Sequence, residues 1–193
     1  MLRQLVRSPI LGPAGERIGR VEDVIVRLAE GGYPPVTGLK ASIGERELFI
    51  GPELIERLAA GEVRLKGHTL NLGRFERRAG EVLLRSDVLG HHLVDVKAGR
   101  IIQAHDLAIA EVEGSWRLVG VDRTPRRRVR HALNRAIRKR RPEVRILDWN
   151  DIQPFVAHVP TARLLMPLQR LRKLHPAQIA DLVEHSSHAE GEE

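Results

Sequence analysis

Short runs of alternating apolar and polar residues fill most of the chain and predict β-strands. The predicted strands are Arg17–Leu28, Glu47–Ile50, Val63–Leu65, Leu70–Leu72, Val88–Val96, Arg100–Val112, Trp116–Val121, Val144–Leu147 and Ala162–Met166. Gly12-Pro13-Ala14-Gly15 and Glu113-Gly114 have the composition of hairpin turns. Pro52–Ala60 is predicted to form one or two helical turns, and apolar spacing from Pro167 onward predicts a C-terminal helix. Closely spaced short strands favour small closed barrels.

The same pattern occurs twice along the chain. Arg7–Gly12 matches Arg85–Gly90 at an offset of 78 residues, and Arg17–Val26 matches Arg100–Ile109 at an offset of 83. Val36–Leu39 matches Leu118–Val121 at an offset of 82, and Leu54-Ile55 falls opposite Asp151-Ile152 at an offset of 97. The common order of these matches predicts two copies of one β-rich unit. The jump from 82 to 97 predicts an insertion in the second copy, where the first has a turn near Ile43-Gly44-Glu45.

The positive charge of the chain lies mostly in this insertion. The whole chain has a net charge of +7, whereas residues 123–145 contain eleven Lys or Arg and one acid, Glu143. Val129, Leu133, Ala136 and Ile137 would form one apolar stripe if this segment were a helix. The basic residues predicted to bind a polyanion are Arg126, Arg127, Arg128, Arg130, Arg135, Arg138, Lys139, Arg140 and Arg141. Anionic lipid headgroups or RNA phosphates could be the ligand, and a solvated surface helix is the alternative.

Composition excludes several classes of function. The chain has no cysteine, so disulfides, thiolate metal sites and cysteine nucleophiles are excluded. Aromatic residues make up 3% of the chain, which counts against base stacking as the main function. The N-terminus lacks the apolar core of a signal peptide, and no apolar run approaches about 18 residues, so we expect a cytoplasmic protein. No serine stands in a recognisable nucleophile motif, and we do not expect an enzyme.

Two strings resemble known families. Ile18-Gly19-Arg20-Val21-Glu22-Asp23-Val24 resembles the motif of the PRC-barrel family, which is named for the photosynthetic reaction centre. Its repetition around Arg100–Leu107 resembles the tandem form found ahead of MgtE-type intracellular domains. Leu171–Glu184, which includes Leu174-His175-Pro176-Ala177, resembles the first helix of the MgtE N-terminal domain, although Gln178 replaces an expected acid.

The resemblance implies a mainly β fold with two small PRC-type barrels in tandem, a few short helices and a C-terminal helix. The domains would be 1–80 and 81–166, with the basic helical insertion at 124–142, followed by an MgtE-like helical segment at 167–193. The implied partners are other domains of the same transport protein, and a homodimer, an anionic lipid surface at the inner face of the membrane and RNA are left open.

The resemblance also raises the question of a magnesium site. Mg²⁺ prefers oxygen ligands, and Asp181 and Glu184 lie three positions apart, on one face of the predicted helix. A solvated helix face is the alternative. The function expected from the resemblance is a non-catalytic regulatory or docking module of a magnesium transport protein. The second hypothesis is an RNA- or ribosome-associated adaptor, because PRC-type barrels also resemble part of a ribosome maturation factor.

Overall fold

The computed structural model describes residues 1–28, 32–67, 73–78, 80–124 and 146–154. Their strands are β1 Pro9–Leu11, β2 Arg17–Arg27, β3 Val36–Ile43, β4 Arg46–Ile50, β5 Ile55–Ala59, β6 Glu62–Leu65, β7 Glu81–Leu83, β8 His92–Asp95, β9 Arg100–Gln103, β10 Asp106–Val112, β11 Ser115–Asp122, β12 Ile146–Asp148 and β13 Ile152–Pro154. The helical elements among these residues are short: α1 Leu2–Leu5, 3₁₀ turns at Pro52–Leu54 and Trp149–Asp151, and a π-turn at Leu84–Val88. The prediction of a mainly β fold is confirmed.

The described strands form three sheets. The largest has the order β4-β3-β2-β1-β6-β5, and β7 also pairs with β2. All its neighbours are antiparallel except β1 and β6. The other two sheets have the orders β10-β11-β12 and β13-β8-β9. In this part of the chain no sheet closes into a barrel, so the two tandem barrels stay a prediction.

Backbone hydrogen bonds repeat at a constant offset of 83 residues. The amide of Arg7 donates to the carbonyl of Val21 at 2.7 Å, and the amide of Gly90 donates to that of Ala104 at 2.7 Å. Arg7 and Gly90 also share a left-handed backbone, with φ of 68° and 88°. The predicted offset of 78 for Arg7–Gly12 is therefore wrong, because the hydrogen bonds place Gly90, and not Arg85, opposite Arg7.

The repeat continues through the hairpins that follow. A register shift falls between Ile25 and Val26 in β2, and another falls between Ala108 and Ile109 in β10. The strands that pair with them, β3 and β11, match at the predicted offset of 82. A Cβ atom at Gly38 of β3 would lie 2.8 Å from the carbonyl oxygen of Ile50, and one at Gly120 of β11 would lie 2.5 Å from that of Leu147. Both copies therefore use glycine where the next strand approaches closely.

The copies differ in the connection that follows. A two-residue turn, Gly44-Glu45, joins β3 to β4, whereas β11 ends at Asp122 and β12 begins at Ile146. Asp122 and Ile146 are paired neighbours, so the basic segment leaves one strand and returns to the adjacent strand at the same end of the sheet. Beyond it the offset is 97, and each copy has a 3₁₀ turn followed by a strand, β5 or β13.

Three predicted elements differ from the structure. The helix predicted for Pro52–Ala60 stops at Leu54, because the next residues pair with β6 as β5. The strand predicted for Val88–Val96 begins only at His92, because Leu84–Val88 forms the π-turn. The strand predicted for Arg100–Val112 is two strands, β9 and β10. The strands predicted at Leu70–Leu72 and Ala162–Met166, and the C-terminal helix, lie outside the described residues.

One cluster of buried side chains runs through both copies. Its members are mostly Val, Leu and Ile, in keeping with the low aromatic content. The fully buried residues include Leu2, Ile10, Leu39, Ile50, Leu65, Leu84, Leu93, Leu107 and Leu118. Since both copies contribute to this core, neither buries its apolar face alone. The predicted boundary between residues 80 and 81 stays a prediction.

Candidate functional site at the contact between the two copies

A buried carboxylate in β2 binds the start of the second copy. Asp23 is only 1% exposed. Its Oδ1 accepts hydrogen bonds from the amides of Val24 at 2.8 Å and Arg85 at 2.7 Å. Its Oδ2 accepts from the amide of Ser86 at 3.0 Å and from the Ser86 hydroxyl at 2.9 Å. Asp23 thus holds the π-turn of the second copy against the sheet of the first.

The chemistry of the π-turn explains why an acid is buried there. The first amides of any helical turn have no partner within that turn and need an acceptor from elsewhere. A carboxylate supplies two oxygens to these amides and is a stronger acceptor than a neutral group. Burial raises the pKa of Asp23 above its ordinary value, although the hydrogen bonds from Arg85, Ser86 and Val24 act to lower it.

A partly exposed ion pair lies beside this carboxylate. The Arg85 guanidinium donates to the Glu22 carbonyl oxygen at 3.3 Å, and its Nη1 lies 3.5 Å from the Glu22 carboxylate. The Arg85 side chain is 40% exposed, so solvent screens the pair and we assign it little stability. The backbone of Arg85, rather than its charge, makes the main contact with the first copy.

The second copy has an equivalent carboxylate in β10. Asp106 is 1% exposed, and its Oδ1 accepts from the amides of Leu107 at 2.9 Å and Arg3 at 3.0 Å. The Arg3 side chain also donates, through Nε, to the carbonyl of His105 at 2.7 Å. Asp106 therefore holds α1, the start of the first copy, against the sheet of the second.

A further contact joins the segment before β3 to β11 and β12. The amide of Leu118 donates to the carbonyl of Pro34 at 2.9 Å, and the Arg117 guanidinium donates to that of Tyr33 at 3.1 Å. The Tyr33 hydroxyl donates to Oδ2 of Asp148 at 2.7 Å. These bonds connect the first copy to the strands that flank the basic insertion.

The Tyr33–Asp148 bond alters the titration of both groups. The bond raises the pKa of Tyr33, because it holds the hydroxyl proton against a carboxylate. Burial acts to raise the pKa of Asp148, but hydrogen bonds from Tyr33 and Asn150 and the charge of Lys97 lower it overall.

The site residues predicted from sequence lie elsewhere. Asp181 and Glu184 lie outside the described residues, as does the basic set, which is Arg126, Arg127, Arg128, Arg130, Arg135, Arg138, Lys139, Arg140 and Arg141. The structure does describe where the basic segment leaves the sheet. There the buried carboxylate of Asp122 accepts from the amide of Thr124 at 2.8 Å, which directs the chain out of β11.

The described ranges contain neither a cluster of metal ligands nor a membrane-spanning helix. Within them, no three His, Asp or Glu side chains come together as metal ligands. No helix found there has the length and apolarity needed to cross a membrane.

Sequence reasoning placed Asp23 opposite Asp106 in the repeat but assigned neither a role. The available signal was an acid at the same position of both copies, directly before an apolar run. Comparison of the chain with family models, curated proteins and solved structures found no match.

Proposed function

We propose that the chain is a non-catalytic regulatory and docking module of an MgtE-like magnesium transport protein, built from two PRC-type β-barrels. The observation that carries the proposal is that each buried polar side chain in the described residues binds a backbone group. They are Ser8, Asp23, Glu81, Asp95, Asp106 and Asp122. Each binds a backbone group and so serves to join or shape elements.

Two of these carboxylates, Asp23 and Asp106, join one copy to the other. A buried carboxylate is costly unless it has hydrogen-bond partners, and in Asp23 and Asp106 those partners are amides of the other copy. Carboxylates placed to join two units in this way suit a docking role. The magnesium part of the proposal rests on the strings that resemble PRC-barrel and MgtE proteins. Asp181 and Glu184 are the proposed ligands of any ion bound by this chain, and the cytoplasm is its proposed location.

The cellular test is removal of the coding segment for residues 1–193 in the source organism, followed by measurement of Mg²⁺ uptake. We expect the dependence of uptake on external Mg²⁺ to change, because a regulatory module sets that dependence. Unchanged uptake over the whole concentration range would contradict the magnesium role. Uptake of K⁺ serves as the control for general damage to the membrane.

The ion site has a separate test in solution. If Asp181 and Glu184 bind Mg²⁺, millimolar Mg²⁺ should raise the unfolding midpoint of the chain, since a ligand stabilises the state that binds it. The double variant Asp181→Asn, Glu184→Gln should lose that rise, and Glu190→Gln is the matched control. An equal rise in Ca²⁺ or in a monovalent salt of the same ionic strength would exclude a specific site.

A second function is an RNA- or ribosome-associated adaptor. The observation that favours it is the placement of the basic insertion between β11 and β12, which anchors both ends of the segment at one end of a sheet. Binding to structured RNA should weaken steeply between about 50 and 200 mM salt if many phosphates are contacted. Binding that prefers anionic vesicles to RNA would instead support the membrane-associated docking module.

A further inference from the structure

The outer edge of β10 carries no strand in the part of the chain that the structure describes. Among the described strands, β10 pairs with β11 alone. Val112 and Ser115 form the hydrogen-bonded pair next to the two-residue turn, and the bonds of an antiparallel ladder alternate from there. Ala110 therefore also bonds to β11, whereas the amides and carbonyls of Ile109 and Glu111 face the outer edge.

The equivalent edge of β2 is covered by β7. Val26 of β2 pairs with Val82 of β7, and the amide of Leu28 donates at 3.3 Å to the carbonyl of the residue that precedes β7. At the offset of 83, the counterparts of Val26 and Leu28 are Ile109 and Glu111. One copy of the unit thus has a strand where the other has an open edge.

The side chains on the two edges differ in burial. Val26 is 0% exposed and packs in the shared core together with Val82. Its counterpart Ile109 packs against the same core but is only partly buried. Leu28 is half-buried, whereas Glu111 is exposed. An added strand would cover Ile109 as β7 covers Val26, and burial of this apolar surface would stabilise the pairing.

The repeat also shows where such a strand would lie. β7 runs directly into the π-turn that begins at Leu84, and α1, the counterpart of that turn, begins at Leu2. Equivalent bonds to Asp23 and Asp106 hold the two turns against β2 and β10. The place that β7 takes beside β2 therefore has its equivalent beside β10, directly ahead of Leu2.

We propose that the outer edge of β10 is a docking site for an extended strand of a partner protein, which pairs antiparallel to β10 as β7 pairs with β2. Strand addition gains affinity from main-chain bonds and specificity from alternate side chains. The partner residue opposite Ile109 should be apolar, and the one opposite Glu111 should be Lys or Arg, because opposite charges attract across strands. Ala110 replaces Arg27, which lies 3.9 Å from Glu81 of β7, so no acid is needed there.

This docking site rests on the proposed function in one respect, which is that the strand comes from a partner protein. Pairing at β10 is measured on the purified chain, whereas the magnesium role is measured as uptake in cells. Either test can fail while the other succeeds, so the two failures are distinguishable.

Hydrogen exchange resolved to single amides tests whether the edge is open. In the full chain alone, the amides of Ile109 and Glu111 should exchange about tenfold faster or more than those of Val26 and Leu28, which β7 covers. Equal protection of the four amides would show that another part of the chain already covers β10, and would overturn the inference.

A capped peptide, Ser-Lys-Thr-Val-Leu-Thr-Ser, is the probe for binding. Antiparallel pairing places its Lys opposite Glu111 and its Val opposite Ile109. At ten times its dissociation constant, the peptide should slow exchange of these two amides by about tenfold and leave Val26 and Leu28 unchanged. The matched control has Pro in place of Val and lacks the amide that donates to the Ile109 carbonyl, so it should have no effect. Equal effects of the two peptides would overturn the inference.

Glu111→Pro blocks the edge in the chain itself. The Glu111 amide takes no part in the bonds to β11, so proline there should leave the circular dichroism unchanged. The variant should lose the effect of the peptide on Ile109, whereas Glu111→Gln should keep it. If Glu111→Pro does not fold, Met-Ser-Lys-Thr-Val-Leu fused in place of Met1, directly ahead of Leu2, decides the question. The fused strand should slow exchange at Ile109 in the otherwise unchanged chain. Unchanged exchange there, or a peptide effect that persists in folded Glu111→Pro, would overturn the inference.

Discussion

The two copies of the unit share the hydrogen bonds and register shifts of their first hairpin and differ in the connections that follow it. The bonds that run from the amides of Arg7 and Gly90 and the register shifts in β2 and β10 keep one constant offset. After this shared part, the first copy turns tightly between β3 and β4, whereas the second extends by the basic segment between β11 and β12. The edges also differ, since β6 lies between β1 and β5, whereas β13 pairs directly with β8. The comparison teaches that strand pairing within each copy constrains the backbone, whereas the connection after β3 or β11 can differ in length.

The largest expected effect comes from the buried leucines that open α1 and the π-turn. Leu84→Ala and Leu2→Ala should each lower the free energy of unfolding by about 2–5 kcal/mol, because each leaves a cavity in the shared core. Chemical denaturation measures both. Ile146→Ala, at a side chain that is 49% exposed, should cost less than about 0.5 kcal/mol. A negligible cost at Leu2 with a large cost at Leu84 would show that the contact is one-sided.

Removal of the buried carboxylates should have the next largest effect. Asp23→Ala leaves the amides of Arg85 and Ser86 without their acceptor, and each buried amide left unpaired costs about 1–3 kcal/mol. Asp106→Ala leaves the amide of Arg3 without its acceptor and should likewise cost about 1–3 kcal/mol. Urea unfolding measures the difference, with Glu45→Ala as the surface control. A cost at either position no larger than that of Glu45→Ala would contradict a structural role for that carboxylate.

The paired glycines test whether the hairpins of the two copies are equally tight. Gly38→Ala and Gly120→Ala place a methyl group against a backbone carbonyl oxygen of the next strand, so each should destabilise the fold by about 1–3 kcal/mol. Gly73→Ala is the matched control, since a Cβ at that position meets no atom within 4 Å. Thermal unfolding of the three variants provides the comparison. A stable Gly120→Ala would mean that the second hairpin is looser than the first.

The smallest effect concerns pH. The pKa of Asp148 is lowered in the folded protein, so its contribution to stability is present above its ordinary pKa of 3.8 and is lost as the pH falls through the lower, folded value. Tyr33→Phe removes one cause of that lowering, so the variant should lose less stability than the parent on acidification. Denaturation at pH 7 and at pH values below 4 measures the two slopes. Parallel slopes would exclude a role for the Tyr33 hydroxyl.

The contribution of Asp23 to stability changes with pH in the opposite direction to that of Asp148. Its pKa is raised in the folded protein, so its contribution is greatest below 3.8 and declines as the pH rises through the raised value. Asp23→Asn, which does not titrate, should remove that decline. The opposite pH dependence expected for Asp23 and Asp148 thus separates the buried contact between the copies from the exposed one.

Much of the local structure could be predicted from the sequence. Alternation in Arg17–Leu28 and Trp116–Val121 gave the long strands, and Glu113-Gly114 forms the expected turn, with φ of 52° and 73°. The offsets of 83, 82 and 97 agree with the observed pairing. The offset of 78 predicted for Arg7–Gly12 is wrong because six similar residues in Arg85–Gly90 suggested it, whereas the backbone hydrogen bonds make Gly90 the counterpart of Arg7. The candidate site was missed because no residue adjacent to Asp23 in the sequence indicates which amides it binds.

The sequence by itself determined the β-rich character, the duplication and the position of the basic insertion in the chain. These features depend on side-chain alternation and backbone freedom, which act over a few residues. Only the tertiary structure decided that Asp23 binds an amide 62 residues away and that Asp106 binds one 103 residues away in the opposite direction. The physical reason is that an acceptor for the free amides of a helical turn can come from any part of the chain that folding brings near.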